Sequence, residues 1–276
     1  MAVPSKTLNY GKPNPRGAMT AKINNQPIVG LFVTCAVDLF RPSVGFAAVQ
    51  LLENAGCRVV VPPQGCCGQV GYNNGLSEDT QQLAHSVIDA FAGVDYIVAP
   101  SGSCASMLKN HYPELFRDSE QFLEATRFAA KVYELTQFLA DILQVAPIST
   151  TAKEGKNIAY HDSCAGLREL GIHRQPRTLA LGYQNATFND IPNADVCCGF
   201  GGTFCTKFED IANKMVADKA ANILAVNPDL LLGGDLPCLL NIAGYLRRQG
   251  HHQPEVRHIA EFLAGSTDQP GIGREK

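Results

Sequence analysis

Two stretches of this 276-residue sequence carry an adjacent cysteine pair followed by glycine, Cys66-Cys67-Gly68 and Cys197-Cys198-Gly199. Single cysteines flank both pairs in the same order. Cys35 precedes the first pair and Cys104 follows it; Cys164 precedes the second and Cys238 follows it. Equivalent cysteines stand about 130 positions apart, which marks a duplicated unit. Eight of the ten cysteines thereby belong to one repeated pattern, leaving Cys57 and Cys205.

Four thiols per repeat point to a soft metal centre. A single tetrahedral zinc ion usually draws on Cys-x2–4-Cys knuckles, whose short turn lets two thiolates converge. Adjacent cysteines project in different directions, which suits an iron–sulfur cluster better, because neighbouring thiolates can bind different irons. The glycine beside each pair permits positive φ and close backbone approach, and its N–H can donate to sulfur. Disulfide pairing fits poorly with vicinal cysteines in a chain of this length.

The pattern Cys…Cys-Cys-Gly…Cys, present twice, resembles the paired cysteine-rich CCG domains. These are shared by the cysteine-rich subunit of heterodisulfide reductase, the iron–sulfur subunits of glycolate and glycerol-3-phosphate oxidising systems, and the lactate utilization A family. The phrases LFVTC, LLENAGCRVVVPPQGCCGQ, PSGSCASM and CCGFGGTF resemble the last of these, and the likeness runs from Val29 to Ala264. What the resemblance implies is an electron-transfer subunit of a system that oxidises L-lactate to pyruvate. Its cofactors would be iron–sulfur clusters of [4Fe–4S] type, up to two. Cys35, Cys66, Cys67 and Cys104 would hold one, and Cys164, Cys197, Cys198 and Cys238 the other. Its partners would be companion lactate-utilization subunits, one iron–sulfur protein and one further subunit. Two other classes stay open: a heterodisulfide-reductase-like subunit acting on a disulfide, and a zinc-binding structural protein.

In the fuller version of this domain the last motif is Cys-x-x-Cys. Here Ser101 and Asp235 stand at its first position, ahead of Cys104 and Cys238. Either oxygen is a harder and weaker iron ligand than thiolate, or the residue simply caps the following helix. His161, at a strand end, reads as a hydrogen-bond donor to a cluster sulfide, a proton carrier or a satisfied core histidine. Cys205 reads as a non-ligand, with a spare-ligand role as the alternative; Cys57 reads as a small core hydrophobe.

Strands alternating with helices must position these groups. IVGLFVT, CRVVVP and VDYIVAP read as buried strands that deliver Cys35, the Cys66-Cys67 pair and Cys104. NIAYH, a weaker run near 186–191, and PDLLLGG do the same for the second set. RPSVGFAAVQLLENAG, the segment opened by Ser77 as N-cap, Pro176–Tyr183, FEDIANKMVADKAANIL, LLNIAGYLRRQG and VRHIAEFLA read as helices. The fold class is α/β: two pseudo-symmetric lobes with parallel strands and the cysteines at strand C-terminal ends. The expected limits are a flexible arm over 1–26, a first repeat over 27–112, a helical connector over 113–154, a second repeat over 155–264 and a tail over 265–276. In the connector, Val132, Leu135, Leu139, Ile142 and Leu143 line one face at helical spacing.

A hydrophobic content of 45%, a charged content of 18% and a net charge of −3 describe a soluble globular protein, with no electrostatic case for nucleic acid. No stretch reaches the apolar length of a membrane span, and the N-terminus lacks the apolar core of a signal peptide. The expected compartment is the cytoplasm. Neither a dinucleotide-binding fingerprint nor a Walker motif occurs, so a role in oxidation means a non-autonomous oxidoreductase subunit.

Overall fold

Two four-stranded parallel sheets of the same strand order, β2-β1-β3-β4 and β6-β5-β7-β8, form the frame of the protein. The computed structural model describes residues 26–148, 156–183 and 186–274. The expected N-terminal arm, residues 1–26, lies almost wholly outside the described residues.

The first lobe opens with β1 (Ile28–Leu31), α1 (Cys35–Phe40), α2 (Pro42–Asn54) and β2 (Arg58–Val60). It continues with α3 (Gln69–Asn73), α4 (Ser77–Ala90), β3 (Tyr96–Ala99) and α5 (Gly102–Ser106). After a π-helical turn come α6 (Tyr112–Leu115), α7 (Phe122–Ala130), β4 (Val132–Glu134) and α8 (Leu135–Gln137). The second lobe repeats the plan with β5 (Asn157–His161), α9 (Cys164–Leu170), α10 (Arg174–Ala180) and β6 (Thr187–Asn189). α11 (Phe204–Lys207), α12 (Glu209–Ala225), β7 (Leu230–Gly233), α13 (Leu236–Arg248), β8 (Glu255–His258) and α14 (Ile259–Leu263) complete it. Central strands read as unbroken apolar runs because helices cover both faces; all four residues of β7 are buried.

The lobes exchange their last helices. α8, which follows β4, packs on α10 of the second lobe, and α14, which follows β8, packs on α2 of the first. The core is therefore continuous across the interface: Val29, Leu31 and Leu52 share one apolar cluster with Ile158, Leu231 and Ile259. At about 1.5–3 kcal/mol for each fully buried aliphatic side chain, this shared core makes the two lobes one folding unit. Among the described residues, no helix is long and apolar enough to cross a membrane.

Four sequence expectations need correction. The connector is not wholly helical: Val132-Tyr133-Glu134 forms β4, which pairs with β3 in register Ile97↔Val132. A three-residue strand is too short to disturb a helical count, so Val132 fell on the helical stripe by coincidence, and Ile142 on that stripe is exposed. VRHIAEFLA likewise splits, because Glu255–His258 is the edge strand β8 and the helix begins only at Ile259. The N-cap of α4 is Leu76, not Ser77, and no side chain bonds the freed N–H groups there. The tail returns along β8, where Ile272 is buried and its N–H donates to the Val256 carbonyl at 2.7 Å.

Candidate metal centres

Every one of the eight repeated cysteines sits just beyond the C-terminal end of a strand, where parallel sheets gather their functional groups. Cys35 and Cys164 are the first residues of α1 and α9. Thr34 and Ser163 cap those helices, accepting from Val37 N at 3.4 Å and Gly166 N at 3.3 Å. The cysteine pairs occupy the loops before α3 and α11 and end in Gly68 (φ 84°) and Gly199 (φ 83°). That conformation is open to glycine and turns each glycine N–H back to the first thiol of its pair. Gly68 N lies 3.4 Å from Cys66 Sγ, and Gly199 N lies 3.4 Å from Cys197 Sγ. Cys104 and Cys238 enter from the first turns of α5 and α13.

The thiols of each lobe touch in sequence order. In the first lobe Cys35 Sγ lies 3.9 Å from Cys66 Sγ, and Cys67 Sγ lies 3.4 Å from Cys104 Sγ. In the second, Cys198 Sγ and Cys238 Sγ lie within 4.8 Å of each other, and the titration of Cys164, Cys197 and Cys198 is linked in the same order. Hydrogen bonds from Cys35 and Cys67, with help from Gly68 N–H, hold the Cys66 thiol down to about 2. Those from Cys164 and Cys198 hold Cys197 down to about 2 as well. Their donors Cys35, Cys67, Cys164 and Cys198 are correspondingly pushed up and keep their protons. Each lobe thus presents one ready thiolate among three further thiols, a donor set for a soft metal centre.

Neighbouring groups fix both loops. The Tyr112 hydroxyl donates to the Cys67 carbonyl at 3.1 Å, and Asn241 Nδ2 donates to the Cys198 carbonyl at 2.9 Å. Gln64 ties the first two cysteine loops together, accepting from Val33 N at 2.8 Å and donating to the Leu31 carbonyl at 2.9 Å.

The cysteine-rich domain family matches this chain twice, over residues 29–109 and 158–243. The chain is 45% identical over 247 residues to lactate utilization protein A of Exiguobacterium sp., spanning 88% of this chain and 99% of that protein. It is 46% identical over 238 residues to lactate utilization protein A of Geobacillus kaustophilus, spanning 85% and 98%. The chain belongs to the lactate utilization protein A family. The family resemblance read from the cysteine phrases is therefore correct, and so is the pair of α/β lobes with parallel strands. A crystal structure of a hypothetical protein from Helicobacter pylori shares the fold, with a TM-score of 0.59 over 92% of this chain. At 12% identity that likeness concerns the fold alone, and this chain spans 50% of that one.

The remaining site residues divide sharply. Ser101 and Asp235, read as separate edges of two centres, instead meet each other: Ser101 Oγ donates to Asp235 Oδ2 at 3.3 Å, and both residues are 1% exposed. Ser101 also caps α5, accepting from Cys104 N at 3.4 Å. The Cys205 thiol donates to the Gly202 carbonyl at 3.3 Å, and Cys57 lies in the apolar core. His161 is 1% exposed, and neither ring nitrogen has a hydrogen-bond partner among the described residues. Each such buried unpaired group costs about 1–3 kcal/mol, so this is not a satisfied core histidine. Burial and then the nearby Lys219 push its imidazole down to about 3, which leaves it neutral.

Lys219 escaped the sequence reading. It is wholly buried, and its ammonium donates to the carbonyls of Asn193 and Ala194 at 3.1 Å each, just ahead of Cys197. Only its spacing within α12, between buried Val216 and Ala220, could have given it away.

Proposed function

We propose that each lobe holds one iron–sulfur cluster of [4Fe–4S] type, bound by Cys35, Cys66, Cys67 and Cys104 in the first and Cys164, Cys197, Cys198 and Cys238 in the second. Such clusters supply one-electron transfer when bound. On this reading the chain is the electron-transfer subunit of a system that oxidises L-lactate to pyruvate, working with one companion iron–sulfur subunit and one further subunit. The supporting observation is the ordered chain of four thiols, repeated in both lobes, with one thiolate per lobe already favoured by a glycine N–H and its neighbours.

The protein's own groups do the rest. Tyr112 and Asn241 hold the backbone of the cysteine pairs, Gln64 sets the spacing of two loops, and the shared core keeps both centres in one rigid body. The five-thiolate arrangement of a heterodisulfide-reductase-like catalyst finds no support, because Ser101 and Asp235 are engaged with each other.

Anaerobic reconstitution with iron and sulfide tests the reading. The expected result is two clusters per chain, reduced by L-lactate only when the companion subunits are present. Turnover by the chain alone would overturn the electron-carrier role. Uptake of zinc in place of iron and sulfide would overturn the cluster assignment.

A further inference from the structure

The two lobes share a plan but not the floor beneath their cysteines. Phe32 stands three residues before Cys35, and His161 stands three residues before Cys164. Leu83 on α4 meets Gly68 and Met215 on α12 meets Gly199; one helical turn further on stand Val87 and Lys219. The first lobe therefore backs its thiols with an apolar ring and a valine, the ring packed 5.9 Å from Phe91. In the second lobe an imidazole and an ammonium take those places.

His161 is placed as a ligand would be. One of its ring nitrogens, Cys198 Sγ and Cys238 Sγ all lie within 4.8 Å of one another, and all three residues are buried. Both ring nitrogens lack partners among the described residues, so nothing in the protein competes for the lone pair. A buried polar ring without hydrogen bonds is tolerated when some other group satisfies it. Imidazole nitrogen and thiolate sulfur together bind zinc, and they also bind iron in clusters where histidine replaces cysteine.

We propose that His161 is a nitrogen ligand of the second-lobe metal centre, which is therefore a mixed histidine–cysteine site, whereas the first-lobe centre is bound by sulfur alone. This rests on the reading that both lobes hold metal.

The test uses the full chain, grown with 15N-histidine or natural histidine and reconstituted with iron and sulfide. Pulsed electron paramagnetic resonance of the reduced protein should show a strongly coupled nitrogen that changes with the label. That coupling should vanish in His161→Phe, while the sulfur-only signal of the first lobe persists as an internal sign of folding. Two cluster signals without a label-sensitive nitrogen would overturn the inference and leave the cluster reading standing. If iron and sulfide are not taken up, the cluster reading falls, and cobalt(II) titration then decides the ligand question. A nitrogen-containing cobalt spectrum lost in His161→Phe would support His161 as ligand, and identical spectra would refute it.

Discussion

Asp235 Oδ2 accepts the backbone N–H of Ser103 at 2.8 Å, so a second-lobe carboxylate caps the helix that carries a first-lobe cysteine, Cys104. The same oxygen accepts the Ser101 hydroxyl at 3.3 Å. Ser101 and Asp235 hold equivalent places in the two repeats, so the contact runs across the pseudo-twofold axis. Gly102 makes the approach possible, because a Cβ there would stand 2.8 Å from Ser163 Oγ and 3.0 Å from Gly166 Cα. The positions just ahead of the last cysteines thus join the two lobes.

Replacing Asp235 should therefore disturb the first lobe, although Cys238 is its neighbour in sequence. Asp235→Ala leaves the part-buried Ser103 N–H without its acceptor and the Ser101 hydroxyl with Ser103 Oγ alone, at about 1–3 kcal/mol in all. Asp235→Asn keeps an acceptor oxygen and should cost less. Urea unfolding of the two variants measures the difference. Metal retention by each lobe shows where the damage falls, and a defect confined to the second lobe would contradict the crossed contact.

Glu134 ends β4 and caps α8, accepting from Thr136 N at 2.7 Å and Gln137 N at 3.1 Å, while its second oxygen has no partner among the described residues. Burial pushes its carboxyl from 4.5 up to about 7. Between those two values the folded protein holds the proton and the unfolded chain does not, so stability falls as pH rises through that window. The loss is on the order of 3 kcal/mol. Buried His161 and His258, pushed down to about 3 and about 4, act oppositely and gain stability as pH rises toward 6.5. The total pH curve therefore does not isolate Glu134, but the difference between parent and Glu134→Gln does. That variant should be more stable than the parent above pH 7 and show little advantage near pH 4.

Much of this was legible in the chain. The paired cysteines marked the duplication, and apolar runs ending at each cysteine marked the central strands, because strands buried on both faces need no alternation. Edge strands were harder to see. β4 is only three residues long, and β8 carries Arg257 and His258 in a segment that runs straight into a helix. The Ser101–Asp235 contact spans 134 positions and exists only because the lobes dock about a pseudo-twofold axis, which no local pattern encodes. His161 was visible as a candidate, but its lack of partners is a property of packing. Lys219 looked like one more solvated charge on a helix rich in them.

Gly102 should be among the least replaceable residues of the lobe interface. Its φ lies outside the left-handed region, so the objection to a side chain is spatial. Gly102→Ala drives a methyl group into Ser163 Oγ and the backbone of Gly166, and α9 cannot retreat without moving Cys164. Overpacking of this kind costs about 1–3 kcal/mol. Gly93→Ala, where a Cβ meets nothing within 4 Å, is the control and should change stability far less. Equal melting temperatures for the two variants would show that the lobes are not held this tightly.

Lys219→Met tests whether the buried ammonium shapes the second centre. Methionine fills similar space but leaves the Asn193 and Ala194 carbonyls unpaired, so the loop that delivers Cys197 loses its anchor. Stability should drop by about 1–3 kcal/mol, and the second lobe should lose metal faster than the first. Burial lowers the pKa of this ammonium, and the neighbouring Cys198 only partly offsets that. Removing the cation should also make the second-lobe centre harder to reduce, because a nearby positive charge favours the added electron. The reciprocal variant Val87→Lys places an unpaired charge in the first lobe and should unfold it rather than retune it. If Lys219→Met kept both the potential and the metal of the second lobe, the buried lysine would be a packing residue only.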